Sequence, residues 1–386
     1  MKQEKTNNPP FGLKPEEKNS NGKISVVFAA IDKYLEDHII KNTQKEVKGK
    51  ELVEYGDKNA YPFYLMGLYE NVAALKSVIN GIADYAGGEN ITINIAPFDI
   101  EMNSKGETIE DIVRLMVIDY VLYGGFALNI LRNAYGNVAE LYVLDFRNVR
   151  SNKDNSIFYY STEWGDKTTG RAIATIYPAF DPKALNVPSS ILYVKNDKKN
   201  TYPSPMWSGA INDCECLKNI SVYNLNSLFN GLSAGYLINF CQGTPSDEQK
   251  EEISENIDSK FSGFENASRI LLNFCDSVDN KATIEALPED KTVDRYNSIY
   301  QTCLKNLFTS FRIHPAIIGL PTDNSGFNSQ DLAEGFRLFN QTVVLPIQKL
   351  IKRTFERIFQ AKDIITIEPL NIDFGDEATT TIEEVQ

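Results

Sequence analysis

Histidine and cysteine are scarce in this chain, which removes the usual residues of acid–base, nucleophilic and metal chemistry. Among 386 residues there are only two histidines, His38 and His314, and neither has a nucleophile near it in sequence. Histidine is the side chain that most often moves protons near neutral pH. The five cysteines are scattered and odd in number, so they predict ordinary buried thiols rather than a disulfide framework. They are Cys214, Cys216, Cys241, Cys275 and Cys303.

The chain also lacks the sequence motifs that bind cofactors or mark common active sites. It has no Gly-x-x-x-x-Gly-Lys loop and no His-Glu-x-x-His pair. We therefore expect no cofactor, no metal ion and no enzyme activity.

Long hydrophobic runs are missing as well. The longest apolar stretches, such as residues 24–31, are far shorter than the roughly 20 residues that span a bilayer. The first ten residues lack the apolar centre of a secretion signal. The sequence predicts no membrane partner, and a protein that is made and at first kept in a cytoplasm.

Positive charge is in deficit: 39 Lys and Arg face 52 Asp and Glu, for a net charge of −13. Proteins that grip nucleic acid through its phosphates cluster Lys and Arg on one surface. Any contact with DNA is therefore expected to be local, weak or transient.

The pattern over residues 51–207 alternates between helix and strand, which predicts a mixed α+β region. Helical periodicity covers residues 61–86 and 108–121, whereas residues 1–50 form a loose arm that contains a helical pattern at 24–40 and a charged connector at 41–50. Alternating or short apolar runs predict strands at 91–95, 127–132, 139–145, 157–160, 172–177 and 191–195.

Two long amphipathic helices are predicted next, at residues 208–232 and 291–313, on either side of a compact α/β insert at 233–290. The insert has strand patterns at 236–240, 269–274 and 283–287, and a capping box that begins at Ser246. The two helices are expected to pack through apolar stripes that include Ile211, Leu217, Leu225, Leu228, Tyr296, Tyr300, Leu307 and Phe311.

A loop at residues 314–329 joins the second of these helices to a final long helix, residues 330–362, which Pro346 should kink. The loop contains no Lys or Arg. Its central residues are polar or small apart from one phenylalanine: Thr322, Asp323, Asn324, Ser325, Gly326, Phe327 and Asn328.

Residues 363–386 are expected to add a short strand and an acidic, Thr-rich tail. Carboxylates at the start of this tail, Asp373, Asp376 and Glu377, leave open a metal-dependent nucleic-acid enzyme as an alternative function.

The order of these elements resembles the portal proteins of tailed bacteriophages. The resemblance covers about residues 61–359 and rests on motifs that are degenerate alone. They are Tyr202-Pro-x-Pro-x-Trp207-x-Gly209 before a long helix, a strand that ends at Phe240, residues 311–319, residues 324–336, and Val344-Leu-Pro346 with Leu350. The segment 124–149 is also similar to the wing hairpin of that family.

The resemblance implies a ring, typically a dodecamer, at one capsid vertex, through which double-stranded DNA is packaged and ejected. Residues 51–207 would be the wing, 208–232 and 291–313 the stem helices, 233–290 the clip, and 314–329 a tunnel loop facing DNA. Helix 330–362 would belong to the wing, and residues 363–386 leave room for at most a small crown.

The same resemblance implies partners: further copies of this chain, the large terminase subunit, the head–tail adaptor, and the major capsid or scaffolding protein. The protein would assemble in the host cytoplasm and end in the virion. The lack of Lys and Arg in the loop fits a conduit, because each phosphate that a basic side chain neutralises would hold DNA back. Another virion component, such as a head–tail adaptor, stays open as an alternative, although adaptors are usually shorter and lack the helix–clip–helix–loop–helix order.

Overall fold

The computed structural model describes residues 39–47, 51–164, 174–229, 237–240, 271–274, 292–318 and 329–370. These segments form an α+β fold, as the sequence predicts. The predicted helix at 24–40, the capping box at Ser246 and the strand at 283–287 lie wholly or almost wholly outside the described residues, and so do the central loop residues and the acidic tail.

Three helices form the centre of the first half of the chain: α1 (Tyr61–Asn71), α2 (Ala73–Gly87) and α3 (Ile109–Tyr123). The sequence predicts one helix over 61–86, but the backbone at Val72 is extended (φ −113°, ψ 100°) and divides it in two. The buried Val72 side chain and the change of direction let both helices turn apolar residues towards one core. The start of α3 is fixed by a capping box between Thr108 and Asp111.

Antiparallel strands surround these helices. One sheet has the order β1 (Gln44–Glu46), β2 (Val53–Tyr55), β6 (Val149–Ser151), β7 (Ile157–Tyr160) and β8 (Thr175–Pro178). Another has the order β5 (Val138–Val143), β4 (Gly125–Arg132) and β9 (Ser189–Lys195). Strands β4 and β5 form the predicted hairpin. The prediction of a connector at 41–50 is wrong in part, because Gln44–Glu46 form strand β1. The Gln-Lys-Glu sequence has no apolar pattern that would indicate a strand.

The end of the described chain returns to the first half. Strand β12 (Ile365–Glu368) pairs antiparallel with β3 (Asn90–Ile93), so that Ile365 lies opposite Ile93. Helices α1–α3, these sheets and the returning strand enclose one continuous hydrophobic core. We call this part of the molecule the body.

Two long helices follow the body in sequence: α4 (Ile211–Phe229), preceded by a 3₁₀ turn at Ser208–Ala210, and α5 (Thr292–Phe311). Between them, β10 (Leu237–Phe240) pairs in parallel with β11 (Leu271–Phe274). Both strands fall at positions that the sequence assigns to strands of the insert.

The final helical stretch is interrupted rather than simply kinked at Pro346. It consists of α6 (Ser329–Phe339), a π-helical turn (Asn340–Val344) and α7 (Leu345–Phe359). The π turn places Pro346 in the first turn of α7, where a missing backbone N–H costs little. The apolar residues of the stretch, including Phe339, Ile351 and Phe355, are buried against the body.

Gly124 ends α3 with a left-handed backbone (φ 87°), and a Cβ atom there would lie 2.5 Å from the carbonyl oxygen of Ser204. We predict that Gly124→Ala lowers the free energy of unfolding by more than about 1 kcal/mol, because the backbone cannot relax away from that oxygen. Urea denaturation at a fixed protein concentration measures the change.

Gly67→Ala is the matched control, since Gly67 lies inside α1 and a Cβ atom there would meet no heavy atom within 4 Å. This control should stabilise the protein by up to about 1 kcal/mol through helix propensity. Equal shifts for both variants would contradict the close approach at Gly124.

Candidate functional site

Helices α4 and α5 lie side by side in an antiparallel arrangement whose register is fixed at two levels. Asn306 Nδ2 donates a hydrogen bond to Asp213 Oδ1 at 2.9 Å. Further along, the rings of Tyr223 and Tyr296 are in contact, with centroids 4.9 Å apart. Moving ten residues forward on one helix thus corresponds to moving ten residues back on the other.

The apolar stripe of this helix pair is buried at one end and exposed at the other. Next to the body, Cys214, Leu217, Leu307 and Phe311 are buried. Farther from the body, Val222, Tyr223, Leu225 and Tyr300 expose 48%, 48%, 53% and 40% of their surface. We call these four residues the outer stripe. Large apolar side chains grouped in this way on a surface mark a site of contact with another molecule.

The residues predicted to pack the two helices therefore divide into groups. Leu217, Leu307 and Phe311 are buried, and Ile211 and Tyr296 are half-buried. Leu225 and Tyr300 are about half-exposed in the single chain, and the side chain of Leu228 lies outside the described residues. For Leu225, Leu228 and Tyr300, packing stays a prediction.

Trp207 is completely buried and holds the end of the helix pair that lies next to the body. Its indole N–H donates to the carbonyl oxygen of Val121 at 3.2 Å. Val121 belongs to the last turn of α3, where carbonyls have no helical donor. On its other side, the indole stacks on Phe311 at the end of α5, with centroids 6.5 Å apart. One side chain thus joins the body to α5 at the position where the α4 segment begins.

Tyr202 fixes the same segment from the opposite side. Its hydroxyl donates to the Val53 carbonyl at 2.5 Å and accepts from the backbone N–H of Ser151 at 2.9 Å. Its ring stacks on Tyr55 at 4.3 Å, and the Tyr55 hydroxyl donates to the Pro203 carbonyl at 2.8 Å. Burial raises the pKa of both phenols well above their ordinary value, so both donate as neutral hydroxyls.

A buried guanidinium supports these two tyrosines. Arg150 donates to Asn59 Oδ1 at 2.9 Å and to the Asn59 carbonyl at 2.8 Å, and it lies over the Tyr55 ring at 5.8 Å. Burial lowers the pKa of Arg150 to about 10. Sequence reasoning missed Arg150, because a single arginine in a strand gives no sign that it points inwards.

The predicted DNA-facing residues, Thr322 to Asn328, lie outside the described residues, and so do Asp373, Asp376 and Glu377. Within the described segments, no group of three His, Cys, Asp or Glu side chains is arranged to hold a metal ion. None of the helices in those segments is long and apolar enough to cross a membrane.

Several solved structures share this fold. A chain from the virion of a native gene transfer agent (GTA) particle superposes with a TM-score of 0.54 at 16% sequence identity, covering 84% of this chain and 86% of that chain. A chain from the neck of the native GTA particle, computed with C12 symmetry, gives a TM-score of 0.52 at 17% identity, covering 83% and 87%. The fold is thus one that occurs in particle neck proteins.

The family follows from sequence. The model of the phage portal protein family matches residues 100–380. The probable portal protein of Haemophilus phage HP1 (strain HP1c1) is 21% identical over 258 residues, which cover 66% of this chain and 71% of that protein. The chain belongs to the phage portal protein family, which confirms the resemblance drawn from its motifs. Proteins of this family are structural components of the virion rather than enzymes.

We predict that Trp207→Phe destabilises the protein by roughly 2 kcal/mol, because the variant leaves the buried Val121 carbonyl without a donor and leaves a small void. The control is Trp164→Phe, the other tryptophan of the chain, which also loses an indole N–H donated to a carbonyl, that of Asn148 at 2.7 Å. Trp164 is only half-buried, so water can replace its donor and the loss should be smaller. Urea denaturation compares the two, and a control that costs as much as Trp207→Phe would argue against this anchor.

Proposed function

We propose that this chain assembles into a closed ring that acts as the portal of a phage capsid, and that the outer stripe is buried between neighbouring copies. The observation that carries the proposal is the continuity of the apolar stripe on α4 and α5. The body covers its inner part, whereas its outer part extends beyond any surface that the described chain supplies. In a ring the outer stripe of one copy would pack against a different surface of the next copy, and such repeated head-to-tail contacts close into a ring.

Structures of related fold support this arrangement. The GTA chains were seen in particle necks computed with C12 and C6 symmetry. Twelve copies of this chain would obey both symmetries, so we propose a dodecamer at one vertex of the virion, assembled in the host cytoplasm.

The ring would serve as the conduit through which double-stranded DNA is packaged and ejected. Residues 314–329, without Lys or Arg, would narrow the channel without holding the phosphates. Residues 233–290 would meet the large terminase subunit and later the head–tail adaptor, and the body would contact the major capsid or scaffolding protein. These assignments rest on the portal family and on the order of the elements.

We predict that Leu225→Asp combined with Tyr300→Asp prevents ring formation while leaving the chain folded. In the single chain Leu225 exposes 53% and Tyr300 exposes 40% of its surface, so the substitutions cost less there than at a buried position. In a ring they would bury uncompensated charge at each interface. Negative-stain electron microscopy and light scattering should show closed rings for the parent and monomers or open fragments for the variant.

Ile100→Asp is the matched control, because Ile100 is 73% exposed and lies in the loop between β3 and α3. It should form rings as the parent does. Rings of normal size from the Leu225 and Tyr300 variant would exclude the outer stripe as the interface. A parent that stays monomeric at micromolar concentration in every buffer tried would overturn the proposed ring itself.

Deletion of residues 322–328 should leave ring assembly intact but impair DNA packaging or retention, since the proposed interface lies on the helix pair and the loop faces DNA. Ring formation is measured by electron microscopy, and packaged DNA by nuclease protection of assembled particles. Loss of rings would show instead that the loop is part of the assembly contact.

A further inference from the structure

Two cysteines face each other across the helix pair. The register set by Asp213 with Asn306 and by Tyr223 with Tyr296 places Cys216 directly opposite Cys303, one turn from the first contact. Their proximity also acts on the pKa of the Cys303 thiol, which Cys216 helps to raise. Both are free in this structure. Facing positions on closely packed helices bring the sulfur atoms of two cysteines within reach of each other.

The two thiols differ in access. Cys216 is exposed, whereas Cys303 exposes only 5% of its surface. The third thiol of this region, Cys214, is completely buried in the body-side core and lies two residues away from the register position opposite Cys303. An exposed thiol beside a buried one is a suitable arrangement for an attacking and a resolving cysteine.

We propose that Cys216 and Cys303 form an oxidation site, and that in an oxidising medium they join in a disulfide that ties α4 to α5. The proposal concerns the helix pair alone and does not depend on the chain acting as a portal. The bond would lock the register of the two helices. It would also close the chain covalently around the whole insert at 233–290.

Formation of this disulfide needs a two-electron oxidant, and a small-molecule disulfide such as oxidised glutathione can serve. The Cys216 thiolate attacks one sulfur of that molecule and releases one small thiolate. The Cys303 thiolate then attacks the Cys216 sulfur in the mixed disulfide and releases the second. Two protein thiols lose two protons and two electrons, and the small disulfide is reduced to two thiols.

Burial slows the second step. In the reduced protein, burial raises the pKa of the Cys303 thiol to about 12, and the nearby Asp213 adds to the effect. Only the thiolate attacks, so closure should accelerate about tenfold for each unit by which the pH rises towards that value. Metal binding is a poorer explanation of the pair, because no third ligand completes a metal site among the described residues.

The test uses the full chain with Cys241→Ser and Cys275→Ser, which leaves three cysteines. After reduction, removal of the reductant and incubation with oxidised glutathione at pH 8.5, thiols are counted under denaturing conditions. We expect three free thiols to fall to one, with no mass added by glutathione and no chain dimer on a non-reducing gel. Dithiothreitol should restore all three. A persistent glutathione adduct or a linked dimer would overturn the proposal.

Two further variants on that background identify the partners. With Cys214→Ala, the remaining Cys216 and Cys303 should fall from two free thiols to none. With Cys216→Ser, the remaining Cys214 and Cys303 should stay at two. Loss of both thiols in the Cys216→Ser protein would assign the bond to Cys214 and exclude the pair proposed here. Cys214 is buried, so Cys214→Ala can disturb folding. The three-cysteine protein tests for the same disulfide with Cys214 in place. Cys216→Ser changes only an exposed residue.

Discussion

The rest of the structure depends on Trp207, which contacts both the end of α3 and the end of α5. Its indole supplies the donor that the Val121 carbonyl lacks, and its ring packs against Phe311. Five residues before Trp207, Tyr202 donates a hydrogen bond to the five-stranded sheet and so holds the same segment. Because the helix pair starts from this segment, its direction relative to the body is set by buried contacts. The helix pair thus extends from a starting point that buried contacts hold in place.

Such a projection has a physical consequence for assembly. An apolar stripe that leaves the core must be covered or must face water, and here it continues to Leu225 and Tyr300. The contact between Tyr223 and Tyr296 and the hydrogen bond from Asn306 to Asp213 already satisfy the pair internally. The described residues leave the other side of the stripe partly uncovered, and we propose that another molecule covers it. Membership of the portal family makes a second copy of the chain the natural occupant.

Much of this fold could be predicted from sequence, because its long helices and hairpins have strong periodicity. The α3 helix, the β4–β5 hairpin and the α5 stripe follow from local patterns alone. Strand β1 could not be predicted, since its three polar residues form a strand by pairing with β2, and Gln44 also exchanges hydrogen bonds with the backbone of Tyr202. The break at Val72 and the pairing of β12 with β3 likewise depend on tertiary packing that no local pattern encodes.

The site was predicted in part. The Tyr202 to Gly209 motif could be recognised from its two prolines before a long helix. The buried hydrogen-bond partners of its Tyr and Trp, however, lie about 50 to 150 positions earlier in the chain. The exposed state of Leu225 and Tyr300 could not be predicted either, because an amphipathic stripe has the same sequence whether the same chain or a neighbour covers it.

The most direct test of this account is a structure of the assembled protein by electron cryo-microscopy. We expect a closed ring in which Val222, Tyr223, Leu225 and Tyr300 of each copy are buried against the next. A ring in which these side chains face solvent, with the copies joined through other surfaces, would contradict it.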